Sequence, residues 1–226
     1  SSEELLKNGV ELPKYDVKGI KERGRKNPEW LHFGGGNLYR GFHAEIAQEL
    51  ANQGELSTGV IVCETFDEQV VDHVYQPYDN DILDVVMHED NTLDQKIIAS
   101  TADSIYCNPE NKEGFSRVVS YFENPNLKFT TFTITEKGYG LTDSNGNYLS
   151  VIREDIDNGP DNPKHTMSIV TALLLKRYLA GGYPIAMVST DNFSQNGRRF
   201  QDSILKIAQE WVNNKFASQE FLDYLN

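Results

Sequence analysis

At 226 residues the chain is long enough to bury a sizeable core without disulfide or metal staples. Its formal net charge of −13 and pI of about 4.8 create a field that repels nucleic acid and anionic membrane surfaces. Cys63 and Cys107 are far apart with no C-x-x-C spacing, the stretch SSEELLKNGVELPKYD has no apolar h-region, and no run reaches membrane-spanning length, so a cytoplasmic protein with unpaired thiols is expected.

No internal repeat, low-complexity tract or linker divides the sequence, so residues 1–226 are expected to form one domain. After a polar lead (KGIKERGRKNP), Trp30–Phe33 reads as a first buried strand. Three glycines follow, and then Phe42, Ile46, Ala47 and Leu50 recur at helical spacing with Gly54 as a stop. Residues 59–64 (GVIVCE) form a continuous apolar run, the pattern of a strand buried on both faces of a parallel sheet. Residues 66–76 read as helix. Residues 81–87 and 92–100 read as strands, and the turn chemistry of HEDNT between them predicts a hairpin.

Residues 115–122 read as helix, and 127–135 (LKFTTFTIT) carry the strongest strand pattern in the chain. The loop EKGYG and a turn at Asn145-Gly146 come next. A helix over 165–180 closed by Gly181-Gly182, a strand over 184–189 and a helix over 197–215 complete the series. This alternation predicts an α/β fold: a Rossmann-like, doubly wound, mostly parallel sheet with an antiparallel hairpin insertion.

The stretch WLHFGGGNLYRG joins the first strand to the first long helix. In a dinucleotide fold, glycines at this place let the backbone approach a pyrophosphate at the helix N-terminus. Gly34 and Gly36 fill two places of G-x-G-x-x-G, and Tyr39 stands at the third. Glu64 closes the next strand, where a carboxylate can accept hydrogen bonds from the ribose hydroxyls of NAD and repel the 2′-phosphate of NADP, with Asp67 as the alternate acid. The same turn and acid also suit an S-adenosylmethionine-dependent methyltransferase, or a non-catalytic nucleotide-binding module. Five scattered histidines in no ligand spacing predict no metal site, and neither a G-x-S-x-G elbow nor a P-loop is present.

TITEKGYG (residues 133–140) and MVSTDNFSQNG (residues 187–197) resemble signature segments of the polyol-specific long-chain dehydrogenases, the family of mannitol 2-dehydrogenase, fructuronate reductase and tagaturonate reductase. FGGGNLYRG resembles that family's G-x-G-x-x-x-R turn, with Arg40 at the arginine place. The resemblance implies metal-independent, NAD-linked interconversion of a secondary alcohol and a ketone on an open-chain sugar or sugar acid. It implies that Gly34, Gly36, Asn37 and Arg40 hold the cofactor's pyrophosphate end, that Glu64 takes the adenosine ribose, and that Lys137 lies on the cofactor.

Asn192 and Glu136 are then expected at the reacting centre: Asn192 as an amide donor to the oxyanion, Glu136 in a proton-relay or positioning role. Asn192 also suits an N-cap of the following helix, and Asp191 is expected to be structural. The family's acid/base lysine belongs to a C-terminal helical domain. The present chain is therefore expected to be a cofactor-binding half whose partner is the C-terminal domain of the same polypeptide, binding NADH without turning over sugar. The sequence favours no one of the mannitol/fructose, mannonate/fructuronate and altronate/tagaturonate pairs strongly, with a slight lean to hexuronates from the style of the turn.

Overall fold

The structure, a computed structural model, describes residues 1–226. Five parallel strands form its main sheet: β2 (Trp30–Phe33), β3 (Val60–Glu64), β6 (Thr101–Tyr106), β7 (Phe129–Phe132) and β8 (Ala186–Ser189). Their spatial order is β6-β3-β2-β7-β8. The winding therefore runs outward from β2 in one direction and then reverses to β7, leaving a topological switch point between those two strands, where such sheets bind ligands. All four residues of β2 and the first four of β3 are buried, as strands covered on both faces must be.

Helices α1 (Ser2–Lys7), α2 (Val17–Lys26) and α3 (Ala44–Asn52) precede β3, and α4 (Glu68–Val70) continues through a π-turn over Val71–Tyr75. On the far side of the chain lie α5 (Lys112–Glu123), α6 (Ser150–Asn158), α7 (Thr166–Ala180), α8 (Asn196–Asn213) and α9 (Gln219–Leu225). The larger core joins the sheet to α5, α6, α7, α8 and α9 through residues such as Phe33, Phe132, Leu173, Phe200 and Trp211. The smaller core, around Trp30, Tyr39, Ala47 and Val62, fills the space under α2 and α3. Helix α7 is buried nearly all round, so its sequence has no polar stripe to read. None of the helices is long and apolar enough to cross a membrane.

The expected hairpin forms from β4 (Ile82–Met87) and β5 (Leu93–Ile98), paired antiparallel from Ile82↔Ile98 to Met87↔Leu93. It is not part of the main sheet, which is wholly parallel. It builds a second sheet with β1 (Val10–Glu11), in the order β1-β5-β4. The sequence reading passed over β6 (TADSIY), whose Asp and Ser dilute the strand pattern although five of its six residues are buried. It also passed over α2, whose polar sequence hides an inward side on Ile20, Lys21 and Gly24. The buried Lys21 ammonium is satisfied by the Asp81 carboxylate at 2.7 Å and the Asp79 carbonyl at 2.5 Å.

The helical stripe at 42–50 forms but faces the other way from a core stripe. Ala44, Ala47 and Ala51 pack inward, while Phe42, Ile46 and Leu50 are 55%, 42% and 36% exposed and Leu38 lies in line with them. Small alanines let α3 sit close to the sheet, and the larger apolar residues are left on the outer surface.

Arg177 is the anchor of the α7 side. Its side chain is fully buried and meets no carboxylate; instead it donates to the backbone carbonyls of Phe122, Asn124, Leu127, Tyr183 and Pro184 at 2.8–3.0 Å. One guanidinium thus ties the end of α5 and the approaches to β7 and β8 together, a task that needs the five-donor fork of arginine. Arg177→Met removes a donor from all five carbonyls, of which Asn124 keeps the Leu127 N–H and Tyr183 keeps the Tyr224 hydroxyl, and is expected to cost about 3–5 kcal/mol in urea unfolding. Arg177→Lys, with three donors, recovers only part; a loss below about 1 kcal/mol for the methionine variant would refute the anchoring role.

Candidate functional site

The C-terminal ends of β2, β3 and β7 open onto a cleft of about 710 Å³ lined by Gly34, Gly36, Glu64, Thr133, Thr135 and Lys137, with the start of α7 opposite. A second trough of about 550 Å³, lined by Tyr106, Asn108 and Pro109, shares Thr65, Phe66, Val151 and Lys164 with the first, so the two are continuous. Phe66 stands at their junction 86% exposed, a flat apolar ring offered to whatever enters.

Gly34 has φ +112°, and a Cβ there would lie 2.1 Å from the Thr133 carbonyl oxygen. Its N–H donates to the Cys63 carbonyl at 2.8 Å, so the turn is wedged between the ends of β3 and β7. Gly36 is different. A Cβ there meets nothing within 4 Å, and the residue borders the cleft, so the space in front of it is open for a ligand. A π-helical turn over Tyr39–His43 begins just beyond and runs on into α3; its leading N–H groups have no intrahelical acceptor and, with the helix dipole, favour an anion.

Glu64 reaches across to this turn and accepts the Gly35 N–H at 2.5 Å. Burial raises its pKa above the ordinary carboxylate value and nearby Asp67 adds to the effect, while the Gly35 N–H and Arg40 pull the other way. Arg40 donates to the Gly35 carbonyl at 2.6 Å and to the Asn37 side-chain oxygen, and it lies over the Tyr75 ring. Tyr75 also donates to the Gly35 carbonyl, at 2.7 Å. Arg40 and Asn37 therefore brace the turn and are not among the residues that line the cleft. Asp67 caps α4 through the Val70 N–H.

Beneath the turn runs a directional hydrogen-bond chain. Trp30 Nε1–H donates to Thr131 Oγ1 at 2.7 Å, and Thr131 Oγ1 lies 2.6 Å from His32 Nδ1. His32 Nε2 lies 2.8 Å from Thr133 Oγ1, which donates to the Gly34 carbonyl at 3.4 Å. These partners are all satisfied when His32 is neutral with its proton on Nε2. Burial, and His43 beside it, hold its pKa well below the usual histidine value, in keeping with that assignment. His32 is thus a core residue bonded to its neighbours.

On the other side of the switch point, Asp191 is buried and accepts the N–H groups of Ile134 at 3.0 Å and Thr135 at 3.1 Å and the hydroxyl of Tyr139 at 2.6 Å. Burial and this bond push the Tyr139 phenol well above its usual range. Glu136 is exposed and paired with Arg199 of α8 at 2.5 Å, a surface contact worth little to stability. Asn192 is exposed next to Asp191. It does not cap α8, which starts at Asn196 with Gln195 as its N-cap, so the capping alternative is set aside. Asn196 instead holds the Ser189 and Asp191 carbonyls.

The structure therefore gathers Gly34, Gly36, Glu64 and Lys137 on one cleft and leaves Asn37, Arg40, Glu136 and Asn192 outside its lining, the last two toward β8. Thr133, Thr135, Phe66 and the α7 start at Lys164, His165 and Thr166 are cleft residues that the sequence reading did not single out. The one available signal was Phe66, a large apolar residue two places beyond a strand-terminal acid. The α7 start is brought in by tertiary structure, through a 2.7 Å hydrogen bond between the hydroxyls of Thr65 and Thr166. No three His, Cys, Asp or Glu side chains are grouped to hold a metal ion.

Residues 28–223 match the family described as the mannitol dehydrogenase Rossmann domain. Over 219 residues the chain is 41% identical to D-mannonate oxidoreductase of Thermotoga maritima, covering 97% of this chain and 40% of that protein. Over 211 residues it is 23% identical to polyol:NADP oxidoreductase of Gluconobacter oxydans, covering 90% and 41% respectively. Among solved structures, mannitol 2-dehydrogenase of Pseudomonas fluorescens, in a ternary complex with NAD and D-mannitol, has a TM-score of 0.79 at 23% identity, covering 98% of this chain and 43% of that one. This likeness carries the fold. The chain spans about two-fifths of the length of the curated relatives it matches.

The two glycines of the turn are expected to fail differently. Gly34→Ala meets the Thr133 carbonyl and a positive φ, and should cost at least about 3 kcal/mol or prevent folding. Gly36→Ala should leave the thermal midpoint within about 2 °C of the wild type. Equal stabilities for the two variants, measured by calorimetry, would contradict the wedge at Gly34.

Proposed function

The chain belongs to the mannitol dehydrogenase family through its Rossmann domain, and from that premise we propose that residues 1–226 are the NAD-binding half of an oxidoreductase acting on a sugar acid of the D-mannonate class. The observation that carries the reading is the joining of the open Gly36 cradle and the Glu64 carboxylate at one cleft. Bound NAD would supply the hydride acceptor or donor. Gly34 and Gly36 keep the wall low where the pyrophosphate lies, and the helix N-terminus meets its charge. Glu64 receives the adenosine ribose, and its charge disfavours a 2′-phosphate. Phe66 and the trough beside Tyr106 and Pro109 give the adenine a flat apolar seat.

Arg40 and Asn37 serve the pyrophosphate indirectly by holding the turn in shape, and Lys137 lies along the cleft with a free cation. Asn192 and Glu136 are assigned to the substrate side, Asn192 as an amide donor toward developing alkoxide charge and Glu136 as a relay that must leave Arg199 to act. The sugar-acid assignment is supported by the 41% identity to a D-mannonate oxidoreductase. The remaining length of such a polypeptide carries the rest of the substrate site. Its landing surface here is read as the outward apolar stripe of Leu38, Phe42, Ile46 and Leu50, which continues past His43 to the exposed Val188 on edge strand β8, His43 being bonded to Thr190 at 2.9 Å. The chain alone should therefore bind NADH without reducing sugar, and the methyltransferase alternative loses its footing with the family match.

Titration of the chain with NADH, followed by nucleotide fluorescence, should saturate. NADPH should compete at least about tenfold more weakly, and S-adenosylmethionine should not compete. Glu64→Gln should erase the preference for NADH. Because the folded pKa of Glu64 is raised, the folded state loses stability as pH rises from 4.5 through that value. Glu64→Gln should accordingly raise the thermal midpoint at pH 7.5, with no gain well below pH 4.5, where the carboxyl is protonated in both states. An unchanged nucleotide preference in Glu64→Gln would remove Glu64 from the ribose site.

A further inference from the structure

Six non-glycine residues have positive φ, and five of them are Asp, Asn, Gln or Lys. The sixth is Thr135, with φ 65° and ψ 158°, a region that glycine alone occupies without strain and that is worst for a β-branched side chain. The conformation is held from outside. Asp191, a buried carboxylate, clamps both sides of it: it accepts the N–H groups of Ile134 and Thr135, which precede the strained torsions, and the hydroxyl of Tyr139, which follows them. The loop holds glycines at 138 and 140, yet not at the one place where backbone geometry calls for it. The threonine side chain is exposed, borders the main cleft, and its hydroxyl is engaged by no other group of the chain.

Thr135 follows β7, across the switch point from Glu64. A dinucleotide laid over the switch point with its adenosine at Glu64 carries its other half past the end of β7. We propose that Thr135 is a ligand of the nicotinamide half of the cofactor, its hydroxyl hydrogen-bonding the ribose or carboxamide, and that Asp191 is the positioning residue that holds Thr135 in its strained conformation for that contact. The proposal rests on the cleft being an NAD site. Strain retained at a cleft-facing residue, with a buried carboxylate spent on maintaining it, is the signature of a conformation kept for binding rather than for folding.

Three substitutions at 135 separate the hydroxyl from the backbone. Thr135→Ser keeps both the hydroxyl and the geometry, and should bind NADH within about twofold of the wild type. Thr135→Ala keeps the strain and removes the hydroxyl, and should weaken NADH about five- to tenfold with the thermal midpoint little changed. Thr135→Gly should weaken NADH at least as much while raising the midpoint by about 2–4 °C. The midpoint loss caused by Asp191→Asn should be smaller in the Thr135→Gly background than in the wild type, since relaxed backbone needs less holding.

Wild-type affinity in Thr135→Ala would overturn the ligand assignment. A midpoint lowered by Thr135→Gly, or strictly additive losses with Asp191→Asn, would overturn the strain and positioning. A wild-type chain that does not bind NADH at all would instead refute the cofactor reading on which the proposal stands.

Discussion

The two strands at the middle of the sheet, β2 and β7, end so close together that the residue leaving β2 has no room for a side chain. Gly34 meets that constraint, packed against the Thr133 carbonyl with its N–H on Cys63 of β3. Much else follows from it. The positive φ at Gly34 turns the chain so that the Gly35 N–H reaches Glu64 and the Gly35 carbonyl faces Tyr75 and Arg40. The helix N-terminus is thereby aimed over the switch point. From below, the chain of bonds through Trp30, Thr131, His32 and Thr133 holds the Gly34 carbonyl from the other side. The cleft is thus prepared by backbone geometry before any ligand arrives, which lowers the ordering cost of binding.

The two sides of the switch point solve the same problem with different chemistry. Toward β3, a carboxylate at a strand end accepts one N–H from the glycine turn. Toward β8, Asp191 accepts two N–H groups from the loop after β7 and a tyrosine hydroxyl besides. Each wall is held by an anion satisfied by backbone donors, so neither depends on a salt bridge that solvent would weaken. Arg177 is the converse case on the α7 side, a cation satisfied only by carbonyls.

What the sequence disclosed is what periodicity and local chemistry encode. The β-branched run of β3, the LKFTTFTIT strand, the hairpin turn and the glycine turn were all legible because burial or turn geometry dictates those residue types directly, whereas the packing of Gly34 against the Thr133 carbonyl was not. The β6 strand was not, because its Asp103 is drawn into an ion pair with Arg117 at 3.0 Å and its Ser104 bonds to Asn80 at 2.6 Å, partnerships that exist only after folding. Arg40 was expected at the pyrophosphate because the motif puts it near; whether a guanidinium points into the cleft or behind it is decided by Tyr75 and Gly35, far from it in sequence or in the turn itself. The apolar residues of α3 show the limit of a hydrophobic stripe as a guide. Periodicity finds the helix correctly, but the small alanines, not the large residues, are what pack on the sheet.

Hydrogen–deuterium exchange of the chain with and without saturating NADH tests the central claim, that one cleft spanning the switch point is the cofactor site. Protection is expected in three separate segments, the turn at 34–39, the strand end at 64–66 and the loop at 133–138, with the outer hairpin at 82–98 unchanged. Protection confined to one of these segments, or falling mainly on the hairpin and the outer face of α3, would contradict it.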